Sequence, residues 1–226
     1  MLIEIIVTNV LEAVTAQNFG ANRLELIQSF EYGGLSPNLE LAKEVCDAVT
    51  IPTNIMIRPQ GQNFIYNKKG QTQILSELDY IRDNTSANGI VFGALDNNHN
   101  IDFKLLEKVI DNKNHLQLTF HRAIDESKDI INSYKELLNY LDINLVLTSG
   151  GKETAILGAK TIKQMLELNQ DKINCKILAA SGITPENVSS LIKQTGVKQI
   201  HLGKGVRVNN ILNKQEFEKL LKNLSS

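Results

Sequence analysis

The sequence predicts an α/β fold, a single (β/α)8 barrel that covers residues 1–226 as one domain. Eight short apolar runs alternate with amphipathic helical patterns along the whole chain. Their spacing is nearly uniform, and no linker or change of composition interrupts them. A doubly wound open sheet is the alternative. That fold favours a glycine-rich turn after its first strand, and residues 8–11 (Thr-Asn-Val-Leu) form no such turn.

The strands are recognised as runs of Val, Ile, Leu and Phe that are bounded by polar or glycine-containing turns. We expect eight of them, at Leu2–Val7, Arg23–Ile27, Asn54–Arg58, Gly89–Gly93, Leu116–Arg122, Asn144–Thr148, Lys176–Ala180 and Gln199–Leu202. Since the carboxyl ends of barrel strands share one face, residues near those ends are expected to meet at a common mouth.

Capping residues place the helices between these strands. Asn9 with Glu12 resembles a capping box, and Gly20 ends that helix. Ser36 followed by Pro37 predicts the start of the second helix. Further boundaries are expected at Gln71 to Asn84 for the third helix, Asp102 for the fourth, Asp129 for the fifth, Asn169 for the end of the sixth and Thr184-Pro185-Glu186 for the start of the seventh. The last helix is amphipathic, with Phe217, Leu220, Leu221 and Leu224 on one face.

Composition argues against several classes of function. Hydrophobic residues make up 42% and charged residues 22%, which is typical of a soluble globular protein. The formal net charge of -1 argues against nucleic-acid or membrane-surface binding, and no apolar run approaches the roughly 20 residues that span a bilayer. Glu4 interrupts the first apolar run, so we interpret it as a strand and not as a signal peptide. Cys46 and Cys175 form no CxxC pair, which favours reduced thiols in a cytoplasmic protein.

Charged side chains lie in or just after the predicted strands, where burial is costly unless the charges are paired or used. The densest cluster runs from His121 to Asp125, and a histidine can move protons near neutral pH. Arginines at strand ends can bind carboxylates or phosphates. The predicted catalytic residues are Glu4, Glu25, His121 and Asp125. The predicted ligand-binding residues are Arg23, Arg58, Arg122, Thr148, Ser149, Gly150, Gly182, His201 and Gly203.

Two features of this mouth can also be interpreted as purely structural, with no role in binding or catalysis. Residues two apart on a strand share a face, so Arg23 and Glu25 point the same way, and Glu4 and Glu25 could simply neutralise Arg23 and Arg58. Glycine turns follow the sixth, seventh and eighth strands, at residues 148–151, 181–182 and 203–205. Barrels often bind phosphate with the last two of these loops, and Lys204 would add a charge, but tight turns also need glycine for steric reasons.

Six stretches carry a resemblance to a known family: residues 20–26 (GANRLEL), 33–37 (GGLSP), 56–59 (MIRP), 91–95 (VFGAL), 119–123 (TFHRA) and 147–150 (LTSG). With these stretches in this order, the chain resembles the CutC family nearly end to end. The resemblance implies a β/α barrel, a cytoplasmic location, a homo-oligomer and a role in copper homeostasis. The recurrent polar residues of that family correspond here to Glu4, Arg23, Glu25, Arg58, His121, Arg122 and Asp125.

The chain departs from the family pattern at positions that matter for copper. Asn22 stands where family members usually have Asp, and Ile27 and Ile65 stand where many have Cys. Cu(I) prefers thiolate and thioether ligands, and the cysteines of this chain lie elsewhere. Met56 is the one soft group that we expect near the mouth. Copper is therefore implied by the resemblance alone, and the metal ligands stay unassigned.

Three functions remain open at this point. The resemblance implies copper binding or handling. The residues themselves favour a barrel enzyme of the lyase or isomerase type, in which arginines and glycine turns bind a small anionic or phosphorylated metabolite and His121 moves a proton with Glu4 or Glu25. The third is a structural or interaction protein whose charges only pair with one another. The expected partner is a small anionic molecule or a copper ion.

Overall fold

Eight parallel strands close into a barrel in the computed structural model, which describes residues 1–224. They are β1 (Leu2–Val7), β2 (Arg23–Leu26), β3 (Thr53–Met56), β4 (Gly89–Phe92), β5 (Gln117–Phe120), β6 (Leu145–Thr148), β7 (Lys176–Ala179) and β8 (Gln199–Leu202). Each strand pairs with the next along the chain, and β8 pairs with β1 to complete the ring. The predicted (β/α)8 barrel is confirmed.

Helices follow the strands around the outside of the barrel. They are α1 (Val10–Phe19), α2 (Leu39–Ala48), α3 (Lys68–Asn84), α4 (Phe103–Lys113), α5 (Ile130–Leu137), α6 (Ala159–Leu168), α7 (Val188–Thr195) and α8 (Lys214–Leu224). Short 3-10 helices at Glu31–Gly33, Arg122–Glu126 and Lys204–Val206 lie in the loops after β2, β5 and β8. A small antiparallel pair, β9 (Arg207–Val208) and β10 (Ile211–Leu212), precedes α8.

The structure confirms several of the helix starts that the sequence predicts. Asn9 accepts a hydrogen bond from the Glu12 N–H and caps α1, and Gly20 ends that helix in the left-handed conformation. Asp102 and Asp129 cap α4 and α5 through their carboxylates.

Three predicted helix starts are wrong by a few residues. Asn38 caps α2 in place of Ser36, because the Ser36 hydroxyl is engaged with Glu77 at 2.6 Å. Asn67 caps α3 ahead of the predicted first residue, and α7 begins at Val188 because residues 184–187 form a turn. The strands also end one or two residues earlier than predicted, at Leu26, Met56, Phe92, Phe120 and Ala179.

The strands carry apolar side chains outward and polar ones inward on one side of the ring. On β1, Ile3, Ile5 and Val7 belong to the main core shared with the helices. Glu4 alternates with them and therefore faces the barrel interior. Glu4 is in register with Arg23 on β2 and with His201 on β8, so these three side chains are neighbours. Closure of the ring brings together residues from both ends of the chain.

None of the helices in the described part of the chain combines the length and the apolar character needed to cross a membrane.

Cys46 on α2 and Cys175 just before β7 are buried free thiols. Burial raises the pKa of Cys46 to about 11 and that of Cys175 to about 12, so both are protonated at neutral pH.

Candidate active site

A cavity of about 580 Å³ lies at the carboxyl ends of the strands. Its volume is in the range of small-molecule sites in proteins. Of the predicted site residues, the cavity is lined by Glu25, Arg58, His121, Arg122, Asp125, Gly182, His201 and Gly203. The other five, Glu4, Arg23, Thr148, Ser149 and Gly150, lie outside this lining. The mouth predicted from the sequence therefore separates into a cavity wall and a supporting layer.

Glu4 and Arg23 form the part of the supporting layer that lies beneath the cavity. The Arg23 Nε donates to Glu4 Oε2, and Arg23 NH2 donates to the Gln199 side-chain oxygen at 3.3 Å. The other carboxylate oxygen, Oε1 of Glu4, lies 2.8 Å from His201 Nδ1. Burial alone would raise the pKa of Glu4, but Arg23 and His201 outweigh it and hold the pKa below its ordinary value. Glu4 is thus an ionised, fully paired carboxylate.

Glu25 is the least satisfied carboxylate of this group. It is 2% exposed, and its Oε1 has no hydrogen-bond partner in residues 1–224. Its Oε2 lies 3.7 Å from His201 Nε2, beyond normal hydrogen-bond length. Burial raises the pKa of Glu25 to about 7, against the lowering effect of His201. A carboxyl that lines a cavity and titrates near neutrality can both take and give a proton.

His121 is held as a neutral ring with a defined tautomer. The Ala123 N–H donates to Nδ1 at 3.2 Å, so Nδ1 is an acceptor and Nε2 carries the hydrogen. This Nε2 is buried and has no partner among the described residues. Burial and the nearby Arg58 charge lower the pKa of His121 to about 3. At neutral pH His121 can donate a hydrogen bond from Nε2, and it cannot act as the base that the sequence allowed.

Phe64 packs against both His121 and Arg58. The His121 and Phe64 ring centroids are 4.8 Å apart, and the Arg58 guanidinium carbon lies 4.4 Å from the Phe64 centroid. On the other side of the imidazole, a Cβ on Gly93 would come within 2.5 Å of His121 Nδ1. Gly93 therefore leaves the space that the ring occupies. Neither Phe64 nor Gly93 was singled out from the sequence, although aromatic residues in the long loop after β3 were a usable signal.

Arg58 joins the two long loops that border the cavity. Its NH1 donates to the carbonyl oxygens of Tyr32 and Gly34, the latter at 3.1 Å, and its NH2 donates to that of Gly61 at 3.2 Å. Its Nε is buried without a partner within residues 1–224. All these partners are neutral, and the ion pairs of the described chain do not include Arg58. Arg58 thus brings a positive charge to the cavity wall, where the Glu126 carboxylate acts on it through space and not by a direct contact.

Asp125 is bound by the turn after β6. Its carboxylate accepts from the Gly151 N–H at 2.9 Å, the Ser149 N–H at 3.0 Å and the Thr148 hydroxyl at 2.5 Å. Arg122 Nε donates to the same carboxylate at 2.8 Å. The anion cradle predicted at residues 148–150 is therefore filled by a carboxylate of the chain itself, and Asp125 has little capacity left for catalysis.

The turns after β7 and β8 differ from the turn after β6, whose N–H groups bind Asp125. The backbone N–H groups of Gly182 and Gly203 make no hydrogen bond to the residues that the structure describes. Gly182 has φ +65°, and a Cβ there would lie 2.6 Å from Thr154 Cγ2, so glycine is required. Lys204 lines the cavity beside Gly203. Free N–H groups with an adjacent cation suit an anionic group.

Glu4, Glu25 and His201 are residue types that can bind a metal ion. Glu4, Glu25 and His201 each offer a ligand atom within 4.8 Å of the others. Arg23 and His201 already occupy Glu4, and Glu4 occupies His201 Nδ1. We therefore do not assign these residues as metal ligands. Cu(I) fits no better, because Met56 is the sole sulfur-bearing side chain on the cavity wall.

Comparison with known proteins places the chain in a family. The sequence model of the CutC family matches residues 1–206. The chain belongs to the CutC family. A CutC family protein of Pasteurella multocida (strain Pm70) is 36% identical over 212 residues, which are 93% of this chain and 85% of that protein. The resemblance predicted from the six stretches is thus confirmed.

Solved structures agree with the barrel fold. The crystal structure of CutC from Streptococcus agalactiae, described as a candidate copper homeostasis protein, has a TM-score of 0.83 and 27% identity, and it covers 92% of this chain and 100% of its own. Phosphoribosyl anthranilate isomerase from Thermococcus kodakaraensis has a TM-score of 0.66 and 16% identity over 99% of this chain and 98% of its own. At that identity the second likeness shows the fold alone.

Proposed function

We propose that this CutC family member is an enzyme that transfers a proton next to a carbonyl group of a small anionic metabolite. The observation that carries the proposal is that Glu25, on β2, and His121, just after β5, both line the same cavity. One is a carboxyl whose pKa is raised to about 7, and the other is a neutral imidazole with a free Nε2–H. Two titratable groups whose pKa values are shifted in opposite directions by their environments are candidates for the base and the hydrogen-bond donor of an acid–base reaction.

The chemistry assigns one role to each group. The Glu25 carboxylate takes a proton from the carbon next to the carbonyl, and the electron pair of that C–H bond forms a carbon–carbon double bond while the carbonyl π electrons move onto oxygen. His121 Nε2–H donates a hydrogen bond to the resulting enolate oxygen. When the deprotonated carbon carries a hydroxyl group, the O–H proton passes to the enolate oxygen, Glu25 returns its proton to the former carbonyl carbon, and a carbonyl forms on the deprotonated carbon, which completes an isomerisation. Alternatively, the enolate re-forms its carbonyl and expels a leaving group, with its electron pair, from the carbon attached to the deprotonated one; the Glu25 proton then passes to the leaving group or to water, which completes an elimination.

The anionic part of the substrate is recognised by the turns after β7 and β8 and by Arg58. The N–H groups of Gly182 and Gly203 and the ammonium of Lys204 suit a phosphate or carboxylate. Arg58 contributes a positive charge whose hydrogen-bond partners are all neutral carbonyl oxygens. An anionic ligand would therefore add a charge-assisted contact that the protein itself does not make.

Proton exchange with solvent tests the reaction without knowledge of the product. The protein is incubated in D2O with a panel of small phosphorylated aldoses and ketoses, and deuterium incorporation next to the carbonyl is followed by NMR. We expect protein-dependent incorporation into at least one compound. Glu25→Gln should reduce the rate at least 100-fold. Glu44→Gln, which changes an exposed carboxylate on α2 outside the cavity, should leave it unchanged.

Two results would contradict the proposal. One is that no compound of the panel exchanges faster with the protein than without it. The other is an exchange rate that Glu25→Gln does not alter. Inorganic phosphate tests the anion site separately, because a ligand that binds the folded state raises the melting temperature. We expect such a rise, and a smaller one for Lys204→Gln.

Copper handling is the second candidate, because the Streptococcus agalactiae relative is described in those terms and Met56 offers a thioether to the cavity. Titration of the reduced protein with Cu(I) against a coloured chelator tests it. Binding that is lost in Met56→Leu would support this function. The cytoplasmic location and the homo-oligomer implied by the family stay predictions.

A further inference from the structure

His201 and Glu4 form a hydrogen-bonded pair across the closure of the barrel. They are register partners on β8 and β1, and His201 Nδ1 lies 2.8 Å from Glu4 Oε1. An ionised carboxylate only accepts hydrogen bonds, so the Nδ1 of His201 must carry the hydrogen. The Nε2 of the neutral ring therefore has a free lone pair. His201 also lines the cavity, whereas Glu4 lies beneath it.

Glu25 is the group that faces this lone pair. Its Oε2 lies 3.7 Å from His201 Nε2, a gap that a small rotation or one bridging hydroxyl closes. Its other oxygen, Oε1, is buried without a partner among residues 1–224. The carboxyl is thus held less tightly than Glu4, and its nearest basic group is His201.

We propose that His201 is a second proton-transferring group of this site, which exchanges a proton with Glu25, and that Glu4 is a positioning residue that keeps the Nε2 of His201 free for this exchange. The inference rests on the proposed function and adds a residue to it. Glu25 receives the substrate proton, passes it to His201 Nε2, and the Glu4 carboxylate stabilises the imidazolium that forms. The reverse transfer restores the starting state, so protons balance and no co-reactant is needed.

The charges around Glu4, Glu25 and His201 are consistent with one proton that Glu25 and His201 share. Arg23 on β2 is paired with Glu4 and also donates to the neutral Gln199 on β8, and the neutral Asn54 on β3 donates to Glu4 Oε2 at 3.5 Å. Burial lowers the pKa of His201, but Glu25 and Glu4 outweigh it and hold the pKa above its ordinary value. The charge of His201 in turn acts on the pKa of Glu25, so the titration belongs to the pair.

Nitrogen NMR of the full-length protein, in buffer that contains a chelator, tests the inference without a substrate. The His201→Gln variant assigns the signals. In the wild type we expect neutral His201 to carry its hydrogen on Nδ1 and to titrate above the ordinary histidine range. In Glu4→Gln the His201 pKa should fall by about one unit or more, and Glu4→Asp should restore most of it.

A second measurement covers the case in which Glu4→Gln does not fold. Carbon NMR of the Glu25 carboxyl in His201→Gln should show a higher pKa than in the wild type, because the nearby positive charge is lost. A neutral His201 with its hydrogen on Nε2, or a Glu25 titration that is unchanged in His201→Gln, would overturn the inference. So would a His201 titration that is seen in the buffer with chelator and is absent from a matched buffer without it, since that would reveal a bound cation.

The two proposals fail in different ways. Expected titrations without any deuterium exchange would overturn the proposed function. Deuterium exchange together with a Glu25 titration that does not depend on His201 would overturn the role of His201 and Glu4.

Discussion

The Ala123 N–H donates a hydrogen bond to Nδ1 of His121 over 3.2 Å, and this bond determines where the imidazole carries its hydrogen. A ring that accepts at Nδ1 is a donor at Nε2 when neutral. Because the pKa of His121 is lowered to about 3, the ring stays neutral over the range in which enzymes normally work.

We therefore expect His121 to show no titration between about pH 5 and pH 9 and to carry hydrogen on Nε2 throughout. Nitrogen NMR, with His121→Gln for assignment, measures both properties. His121→Gln should also leave substrate exchange measurable but slower, because its side-chain amide can still donate a hydrogen bond. Protonation of His121 near pH 6 to 7 would contradict its role as a neutral donor.

Glu25 should make the stability of the protein depend on pH. Its folded pKa of about 7 lies above the ordinary value of 4.5, so the folded state holds the proton more tightly than the unfolded chain. The contribution to stability is complete below about pH 4.5 and is lost as the pH rises through about 7. Glu25→Gln stays neutral and should be more stable than the wild type at pH 8, by roughly 2 kcal/mol.

Urea unfolding at pH 5 and pH 8 measures this difference. The stabilisation should appear at pH 8 and largely disappear at pH 5. A stability change of equal size at both pH values would show that Glu25 acts only through packing.

Asp125 was predicted to be catalytic, and its contacts instead favour a structural role. Asp125→Asn removes the charge that binds Arg122 and weakens acceptance from the Gly151 N–H. We expect a loss of roughly 2 kcal/mol in the free energy of unfolding. Glu126→Gln, at the next and exposed position, should change stability little. Full stability of Asp125→Asn combined with loss of ligand binding would favour the catalytic role.

Arg58 should control the order of the two loops that it bridges. Lysine has a single nitrogen in place of the planar fork, so Arg58→Lys cannot reach the carbonyls of Tyr32, Gly34 and Gly61 together. We expect faster proteolysis within residues 28–35 and 59–66 and a lower melting temperature. Arg82→Lys, on the outer face of α3, is the control. Unchanged cleavage of these segments in Arg58→Lys would show that the bridge is dispensable.

Local patterns predicted much of this molecule, because strands, helices and most caps depend on residues close in sequence. Asn9 and Glu12 show this for α1. Ser36 shows the limit: its local context predicts a cap, but a partner 41 residues away, Glu77, takes its hydroxyl. Such a competition is decided by tertiary packing and leaves no local signal.

In the candidate site, too, local features could be predicted from the sequence and long-range contacts could not. Strand alternation predicted that Arg23 and Glu25 would share one face of their strand. It could not show that Glu4 pairs with His201, 197 positions away, because that contact exists only once β8 closes on β1. Likewise, the turn after β6 reads as an anion cradle in the sequence, and only the fold shows that Asp125, 23 positions before Thr148, fills it.

We propose that Glu25 and His121 act on a substrate whose anionic group lies between the turns after β7 and β8. A crystal structure with phosphoglycolohydroxamate, a stable mimic of a phosphorylated enediolate, would show whether a ligand takes this position. We predict the phosphate at the N–H groups of Gly182 and Gly203, with the hydroxamate within hydrogen-bond distance of Glu25 and of His121 Nε2. A cavity that stays empty at saturating concentration, or a ligand bound away from Glu25 and His121, would contradict the account.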